Sequence, residues 1–327
     1  MQPRDVHECA KVVAAHPVVG PRYGRAIRHL GPSWLRLLGS EALCAIVLEE
    51  VEGGRITICG FGVSVVVDDA FLHELKASPF WFGPELAKRV MQGRSPVLSD
   101  RKLREANSKE GLNLLVWEGA PLPGFDQRND VFQKLVNTFI ELHRGLFWKE
   151  AITAQYDTVP GLQWAVAAGG LFWDPAQGRY WESAFEPLEE IVRKPHVVGL
   201  TRETELSRTG SWVGALFNYQ PPRVGFSSGE QMLLLAALGG LTDQELAAAL
   251  GISLPAVKKT WLSAYRRTSQ CLPDLIPNHL PQEEWMVRRG KEKRRRLLSY
   301  LREHPEELRL GSRRSGSGSS ARKSTRA

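Results

Sequence analysis

The stretch Thr242 to Arg267 reads TDQELAAALGISLPAVKKTWLSAYRR and decides the fold of the carboxy-terminal part of the chain. Thr242 and Glu245 have the spacing of a capping box, in which each side chain binds the backbone N–H of the other residue, so a helix is predicted to begin at Asp243. Gly251 stands where a residue in the left-handed conformation can end a helix and turn the chain. The stretch therefore predicts a short helix that ends in a sharp turn.

The second helix of this stretch has two faces of opposite character. Ser253 can cap its first turn, and Pro255 is tolerated there. Helical spacing places an apolar set on the inner face: Val257, Trp261, Ala264 and Tyr265. The outer face is polar and cationic, and such side chains reach phosphates and base edges. With a preceding helix from Gly229 to Leu238, the pattern predicts a helix-turn-helix unit whose second helix reads double-stranded DNA. The predicted DNA-contacting residues are Thr242, Ser253, Ala256, Lys258, Lys259, Thr260, Ser263, Arg266 and Arg267.

The residues Phe226 to Thr268 also resemble, without gaps, the LuxR-type helix-turn-helix domain. Glu230 stands at the acidic position of that family's first helix. The other matching positions are Leu233-Leu234, Gly240-Leu241-Thr242, Glu245-Leu246-Ala247, Leu250, Ile252-Ser253 and Val257-Lys258. Three positions depart from the family: Ala256, Thr260 and Ser263 replace the common threonine, histidine and asparagine, so direct base readout is expected to differ. The resemblance implies a transcriptional regulator of the LuxR family, and it covers about an eighth of the chain.

The excess of positive over negative charge lies near the carboxyl end of the chain. Of a net charge of +7, residues 282–327 contribute 14 basic and 6 acidic residues, which leaves 29 basic and 30 acidic residues in the rest. A basic amphipathic helix is predicted within 282–310, and a disordered basic tail over 311–327. The basic residues of the predicted helix are Arg288, Arg289, Lys291, Lys293, Arg294, Arg295 and Arg296. These residues fit contact with the DNA backbone, and the alternative is a solvated surface helix.

The first 220 residues alternate strand and helix patterns, which predicts an α+β domain. The predicted strands are Ala42–Val51, Gly54–Val67 and Leu112–Glu118, and the predicted helices are Phe71–Ala77, Pro84–Met91 and Asp130–Gln155. Residues 161–214 are expected to be irregular with short strands. This element order looks like a GAF- or PAS-type sensory domain. A domain over 1–220 would then sense a signal or dimerise, ahead of an all-α DNA-binding domain over 226–270.

Aromatic side chains of this first domain are candidates for lining an apolar ligand pocket, and the alternative is that they are ordinary core. The candidate pocket residues are Trp81, Trp117, Trp173 and Trp181. A helix-turn-helix monomer contacts few phosphates, so a homodimer is expected. Its signal is expected to be a small molecule or a protein.

Several function classes are disfavoured by composition and motif searches. With 43% hydrophobic and 24% charged residues the chain is predicted to be globular, and neither a membrane-spanning helix nor a secretory signal is expected. Its four cysteines lack metal-ligand spacing and are predicted to be reduced thiols, so a cytoplasmic location is expected. No nucleotide, metal or nucleophile motif appears, so no enzyme activity, metal or cofactor is expected. The alternatives are a sigma-factor-like promoter-recognition protein, or an enzyme or protein-interaction module with an accessory helical domain.

Overall fold

The computed structural model describes residues 1–125, 127–207, 213–276 and 288–309. The chain divides between Asn218 and Tyr219 into two compact units. The amino-terminal unit mixes helices with one sheet, and the described part of the carboxy-terminal unit is helical. The structure is therefore of the mixed α and β class. None of the described helices combines the length and the apolar character that crossing a bilayer requires.

The amino-terminal unit contains ten α-helices and seven strands among the residues described. The helices are α1 Pro3–Ala15, α2 Val19–Tyr23, α3 Ile27–Leu37, α4 Asp69–Ala77, α5 Phe82–Met91, α6 Asp100–Ser108, α7 Asn129–His143, α8 Val159–Ala167, α9 Leu188–Ile191 and α10 Arg202–Ser207. The strands are β1 Leu43–Glu52, β2 Arg55–Val67, β3 Leu112–Pro121, β4 Trp148–Ile152, β5 Leu171–Asp174, β6 Arg179–Trp181 and β7 Val198–Thr201. Short 3-10 turns lie at Gly24–Ala26 and Val213–Leu216.

The seven strands form one sheet in the order β1-β2-β3-β4-β7-β5-β6. Strands β1 and β2, which match the strands predicted over 42–51 and 54–67, form an antiparallel hairpin whose turn contains Gly53 and Gly54, both with positive φ. Strand β3 pairs antiparallel with β2 and parallel with β4. A bulge interrupts the β2–β3 ladder between Val63 and Ser64.

Helices pack on both faces of this sheet, so its central strands β2, β3 and β4 contribute buried residues to both sides. On one face, Leu115 and Trp117 of β3 belong to a core that also contains Trp34 of α3 and Leu86 of α5. On the other face lies a second core, to which β3 contributes Leu112 and Leu114, β4 Trp148, and α6 Leu103. Alternate residues of β3 therefore enter different cores, as the period of two in a strand requires.

The predicted long helix over Asp130–Gln155 is wrong in its second half. Helix α7 ends at His143, Gly145 follows with φ of 77°, and the chain continues as β4. Apolar residues at 147, 148 and 152 extend the helical period of α7 by chance. Their actual role is to pair β4 with β3, a long-range contact that local periodicity does not show. The region 161–214, predicted to be irregular with short strands, contains the three short strands β5 to β7 and also helical segments.

The described part of the carboxy-terminal unit has four α-helices around one core. These are α11 Ser228–Leu238, α12 Asp243–Leu250, α13 Leu254–Cys271 and α14 Arg288–Glu303, and a 3-10 turn at Pro305–Leu308 follows. The core takes Leu233 and Leu234 from α11, Leu246 from α12, and Val257 and Trp261 from α13.

Helix α14 is part of this core, although its first half is strongly basic. Leu297, Leu298 and Leu301 are buried against the other helices, and so is Leu308 of the following turn. Each such side chain stabilises the fold by roughly 1.5–3 kcal/mol through burial. Glu307, also buried, accepts hydrogen bonds from the backbone N–H groups of residues 223–225 and from the Tyr300 hydroxyl. These hydrogen bonds connect the first residues of the unit to its last described turn. Residues 277–287 and 310–327, which include the start of the predicted basic helix and the predicted disordered tail, lie outside the described residues.

Candidate nucleic-acid interface

Capping residues fix the ends of α12 and the start of α13. Thr242 accepts from the backbone N–H of Glu245, whose carboxylate in turn accepts from the N–H and hydroxyl of Thr242. At the other end Gly251 has φ of 64°, and the N–H of Ile252 donates to the carbonyl of Ala247 at 3.0 Å. This double cap, a capping box before and a Schellman turn after, gives the predicted helix boundaries without a shift.

The inner face of α13 is packed as its spacing predicts. Val257, Trp261 and Ala264 are buried, and Tyr265 is half-buried with its ring stacked on Trp261 at 5.4 Å. The side chains opposite come from α11 and α12. Because this face is held by the core, the rotation of α13 about its own axis is fixed, and so is the set of residues that points outward.

The outward set of α13 is basic with an apolar centre. Lys258 and Lys259 lie on its first exposed turn and Arg266 lies two turns later, all exposed. Within the described part of the chain none of the three forms an ion pair. Leu262, 65% exposed, lies between Lys258 and Arg266 in one row of the helix. The sequence analysis did not single out Leu262, although its spacing of four from Lys258 would have identified it as an outward residue.

Two other residues predicted to contact DNA, Ser263 and Arg267, bind another side chain of the carboxy-terminal unit. The Ser263 hydroxyl donates to Oε1 of Glu230 at 2.7 Å, and Nε of Arg267 lies 3.1 Å from the other carboxylate oxygen. Glu230 is only 3% exposed and also accepts from the backbone N–H of Ser227. Burial raises the pKa of Glu230, but the hydrogen bonds from Ser227 and Ser263 and the charge of Arg267 outweigh it and leave the pKa below its usual value. The acidic position of helix α11 therefore anchors α13.

The remaining predicted contacts lie at helix starts or along the backbone of α13. Ser253 caps α13 by accepting from the N–H of Ala256 at 3.3 Å. The Thr260 hydroxyl donates to the Ala256 carbonyl at 3.0 Å, so it is engaged with its own helix. Thr242 and Ser253 are both exposed at helix amino termini, where backbone N–H groups and the helix dipole favour anions such as phosphate.

The basic residues of α14 form different contacts. Arg294 donates to Oδ1 of Asp243 and to the Leu241 carbonyl, and its guanidinium lies 4.8 Å from the Trp261 ring centroid. Arg295 and Arg296 are more exposed and share the carboxylate of Glu292. Those hydrogen bonds lower the pKa of Glu292 to about 2. The helix also carries the predicted Arg288, Arg289, Lys291 and Lys293; the side chains of the first three lie outside the described part of the structure.

The four tryptophans predicted as pocket residues do not surround a common ligand site. Trp81 and Trp117 line a space of about 20 Å³, which is room for about one water molecule. Trp173 and Trp181 are not among its lining residues: their rings lie under Lys76 and Arg179, with the cation 3.9 and 3.7 Å from the ring centroid. Aromatic content alone does not tell which face of an element a ring occupies, and this is why the residues could not be sorted from the sequence.

Comparison with protein-family models, with curated proteins and with solved structures finds no match for this chain. Among the described residues no group of three or more His, Cys, Asp and Glu side chains is placed to hold a metal ion. The exposed basic surface of α13, with Lys258, Lys259 and Arg266, is the candidate functional site. We refer to it below as the α13 surface.

Proposed function

We propose that this chain is a DNA-binding transcriptional regulator of the LuxR type, in which α13 enters the major groove of double-stranded DNA. The observation that carries the proposal is the α13 surface: three exposed cations with no ion-pair partner among the described residues, on a helix whose inner face is locked into a core. A cation without an internal partner is available to a phosphate, and each phosphate neutralised releases condensed counterions.

The caps of α12 and α13 support the same proposal. The turn at Gly251 links α12 directly to α13. In a helix-turn-helix unit the first helix crosses the DNA backbone while the second lies in the groove, and we assign these roles to α12 and α13. Lys258 and Lys259 then approach base edges and phosphates, Leu262 offers an apolar contact to a thymine methyl group, and Ser263 keeps α13 aligned through Glu230.

The amino-terminal unit would serve as a GAF- or PAS-like sensory or dimerisation domain in a cytoplasmic homodimer. A signal received by that unit would change whether two recognition helices can occupy successive major grooves, one DNA turn apart. The exposed arginines of α14, Arg295 and Arg296, would add backbone contacts beside the recognition helix.

The proposal is tested by selecting duplexes from a random pool with the full-length chain at moderate salt. Enrichment of a sequence with two related half-sites about 10 base pairs apart is expected from a dimer with two recognition helices. Failure to retain any duplex under conditions in which the protein is folded would refute the proposal. If duplexes are retained but no sequence is enriched, the chain binds DNA nonspecifically and the proposal of a transcriptional regulator is refuted.

A further inference from the structure

A cavity of about 190 Å³ lies inside the amino-terminal unit, between the sheet and helices α7 and α8. Strands β1, β2, β3 and β4 form its floor. Its roof is apolar and takes from α7 the half-buried residues Leu135, Val136, Phe139 and Ile140. At the rim Phe132 meets Trp164 of α8 edge to face at 4.9 Å. Both rings line the cavity and Phe132 is 37% exposed, so the space reaches solvent there.

Two glycines of the floor keep this space open. Gly62 of β2 and Gly119 of β3 are opposite each other in the ladder, so they lie on the same face of the sheet. A Cβ added to either would meet, within 4 Å, only atoms of β1 or β2 and none of α7. Two positions earlier on β2, a Cβ added to Gly60 would lie 3.1 Å from Leu135 of α7. The helix therefore contacts the sheet at Gly60 and stands away from it at Gly62 and Gly119.

The described residues show no charged side chain directed into the cavity. Glu118 borders it on β3, but it lies opposite Val63, which belongs to the core shared with α3 and α5 on the other face of the sheet. Its carboxylate accordingly accepts from the hydroxyl of Tyr23, a residue of that core, at 2.5 Å. On α7, Lys134 and Glu141 are exposed and do not line the cavity. An ion that entered this space would lose its hydration without gaining a partner of opposite charge.

A serine of the floor offers one hydrogen-bond acceptor to this apolar space. The Oγ atom of Ser64 lies 2.7 Å from Nε2 of His143, and Nδ1 of the same ring lies 2.7 Å from the carbonyl oxygen of Phe139. A carbonyl oxygen only accepts, so Nδ1 carries the proton, and in the neutral ring Nε2 accepts from the Ser64 hydroxyl. Ser64 borders the cavity, and its Oγ can still accept a hydrogen bond from a second donor. A ligand hydroxyl group is a donor of that kind.

We propose that this cavity binds a small neutral molecule with an apolar body and one hydroxyl group, which donates to Ser64. An apolar cavity of about 150 Å³ is sufficient to bind benzene in a protein interior, so the space suits one ring with a short side chain. The ligand would supply the dispersion contacts that the lining residues lack on their open side. As the signal of a regulator this ligand rests on the proposed function, but its binding does not, because no residue of the α13 surface takes part.

The test compares three probes that share one apolar body: 2-phenylethanol, 2-phenylethylamine and 3-phenylpropionate, titrated calorimetrically into the full chain at pH 7.5. The neutral alcohol is expected to bind more tightly than the ammonium and the carboxylate probes, by about tenfold or more, because neither ion finds a counter-charge. Binding of either charged probe as tight as that of the alcohol, or no binding of the alcohol at millimolar concentration, overturns the proposal. Neither result changes the outcome of the DNA selection, so the two proposals fail separately.

Gly62→Leu locates the site, because it places a side chain in the cavity from the floor. Gly62 does not have positive φ, and an added Cβ would lie 3.5 Å from Ile46, which is an ordinary contact. The variant is expected to lose binding of the alcohol, and full binding would overturn the assignment of the ligand to this cavity. Gly229→Leu, at an exposed position of α11 where an added Cβ meets nothing within 4 Å, is the matched control and should bind as the parent chain does. If Gly62→Leu does not fold, the three-probe comparison on the parent chain still decides.

Ser64→Ala tests the hydrogen bond to the ligand. The variant is expected to bind 2-phenylethanol about threefold or more weakly than the parent chain does, the usual effect of losing one neutral hydrogen bond. Ethylbenzene has the same apolar body without the hydroxyl group, and its affinity is expected to be the same for both proteins. An equal change for the two probes, or no change for the alcohol, overturns the role of Ser64.

Discussion

The Ser263 hydroxyl donates a hydrogen bond of 2.7 Å to Oε1 of Glu230, and this contact joins α13 to α11. The sequence places Ser263 on the outward side of α13, where it would read DNA. The structure uses its hydroxyl to orient the helix instead, and Arg267 binds the same carboxylate. The buried carboxylate of Glu230 on α11 thereby fixes the orientation of α13, and with it the side of the helix on which the exposed cations of the α13 surface lie.

Loss of the Glu230 carboxylate is expected to destabilise the carboxy-terminal unit. Glu230→Ala leaves Ser263 and Arg267 without their acceptor and removes half of the α11 capping box, which together should lower the free energy of unfolding by about 2 kcal/mol. Urea denaturation measures the change. Glu303→Ala, at an exposed position of α14, should leave the midpoint in place. Equal midpoints for both variants would show that the Glu230 contacts contribute nothing net.

Adjacent arginines of α14 are expected to differ in their effect on stability. Arg294→Ala removes an ion pair with Asp243, a hydrogen bond to the Leu241 carbonyl and the contact with the Trp261 ring, which should cost about 1–2 kcal/mol. Arg295 is 72% exposed, so Arg295→Ala should change the stability by less than about 0.5 kcal/mol. Thermal unfolding of the two variants side by side tests this. A larger loss for Arg295→Ala would contradict the position of α14 against α12 and α13.

The stability of the amino-terminal unit is expected to carry a pH dependence from Glu118. The pKa of this carboxyl is raised from 4.5 to about 7, mainly by burial, with Tyr23 and Arg22 opposing the rise and Asp157 adding to it. The folded state therefore binds more protons than the unfolded state between these values, and the free energy of unfolding falls as the pH rises from 4.5 to about 7. The stabilisation that disappears over this range is roughly 3 kcal/mol at most.

Glu118→Gln isolates this effect, because the amide does not titrate. The variant should gain stability relative to the parent chain as the pH rises from 4 to 8, as measured by denaturation at each pH. A constant difference between the two proteins over that range would show that Glu118 has an ordinary pKa.

Local signals in the sequence predicted the carboxy-terminal helices well. The boundaries of α12 and the start of α13 follow from Thr242, Gly251 and Ser253, because caps and turns depend on residues within four positions of each other. The sequence marks Glu230 only as the acidic position in the resemblance to the LuxR-type domain. Its hydrogen-bond partners Ser263 and Arg267 are more than 30 residues away, so local spacing does not predict these contacts.

Long-range contacts explain what the sequence did not predict. Strand β4 was hidden inside a helical period and is defined by pairing with β3. The sequence predicts α14 as a basic amphipathic helix, and only the tertiary structure shows that its apolar residues Leu297, Leu298 and Leu301 pack into the core of the carboxy-terminal unit. No single residue predicts the cavity beside α7. The cavity forms because an apolar face of the helix packs over glycine positions of the sheet, and only the tertiary structure shows this arrangement.

The central claim is that the α13 surface binds DNA phosphates and bases, and the salt dependence of DNA affinity for Lys258→Ala/Lys259→Ala tests it most directly. The double variant should bind duplex DNA more weakly, and the slope of log affinity against log salt should become shallower by about one unit for each phosphate that is no longer neutralised. Lys11→Ala/Lys102→Ala, which removes two exposed lysines of the amino-terminal unit, should keep the parent slope. A folded Lys258→Ala/Lys259→Ala variant with unchanged affinity and slope would contradict the claim.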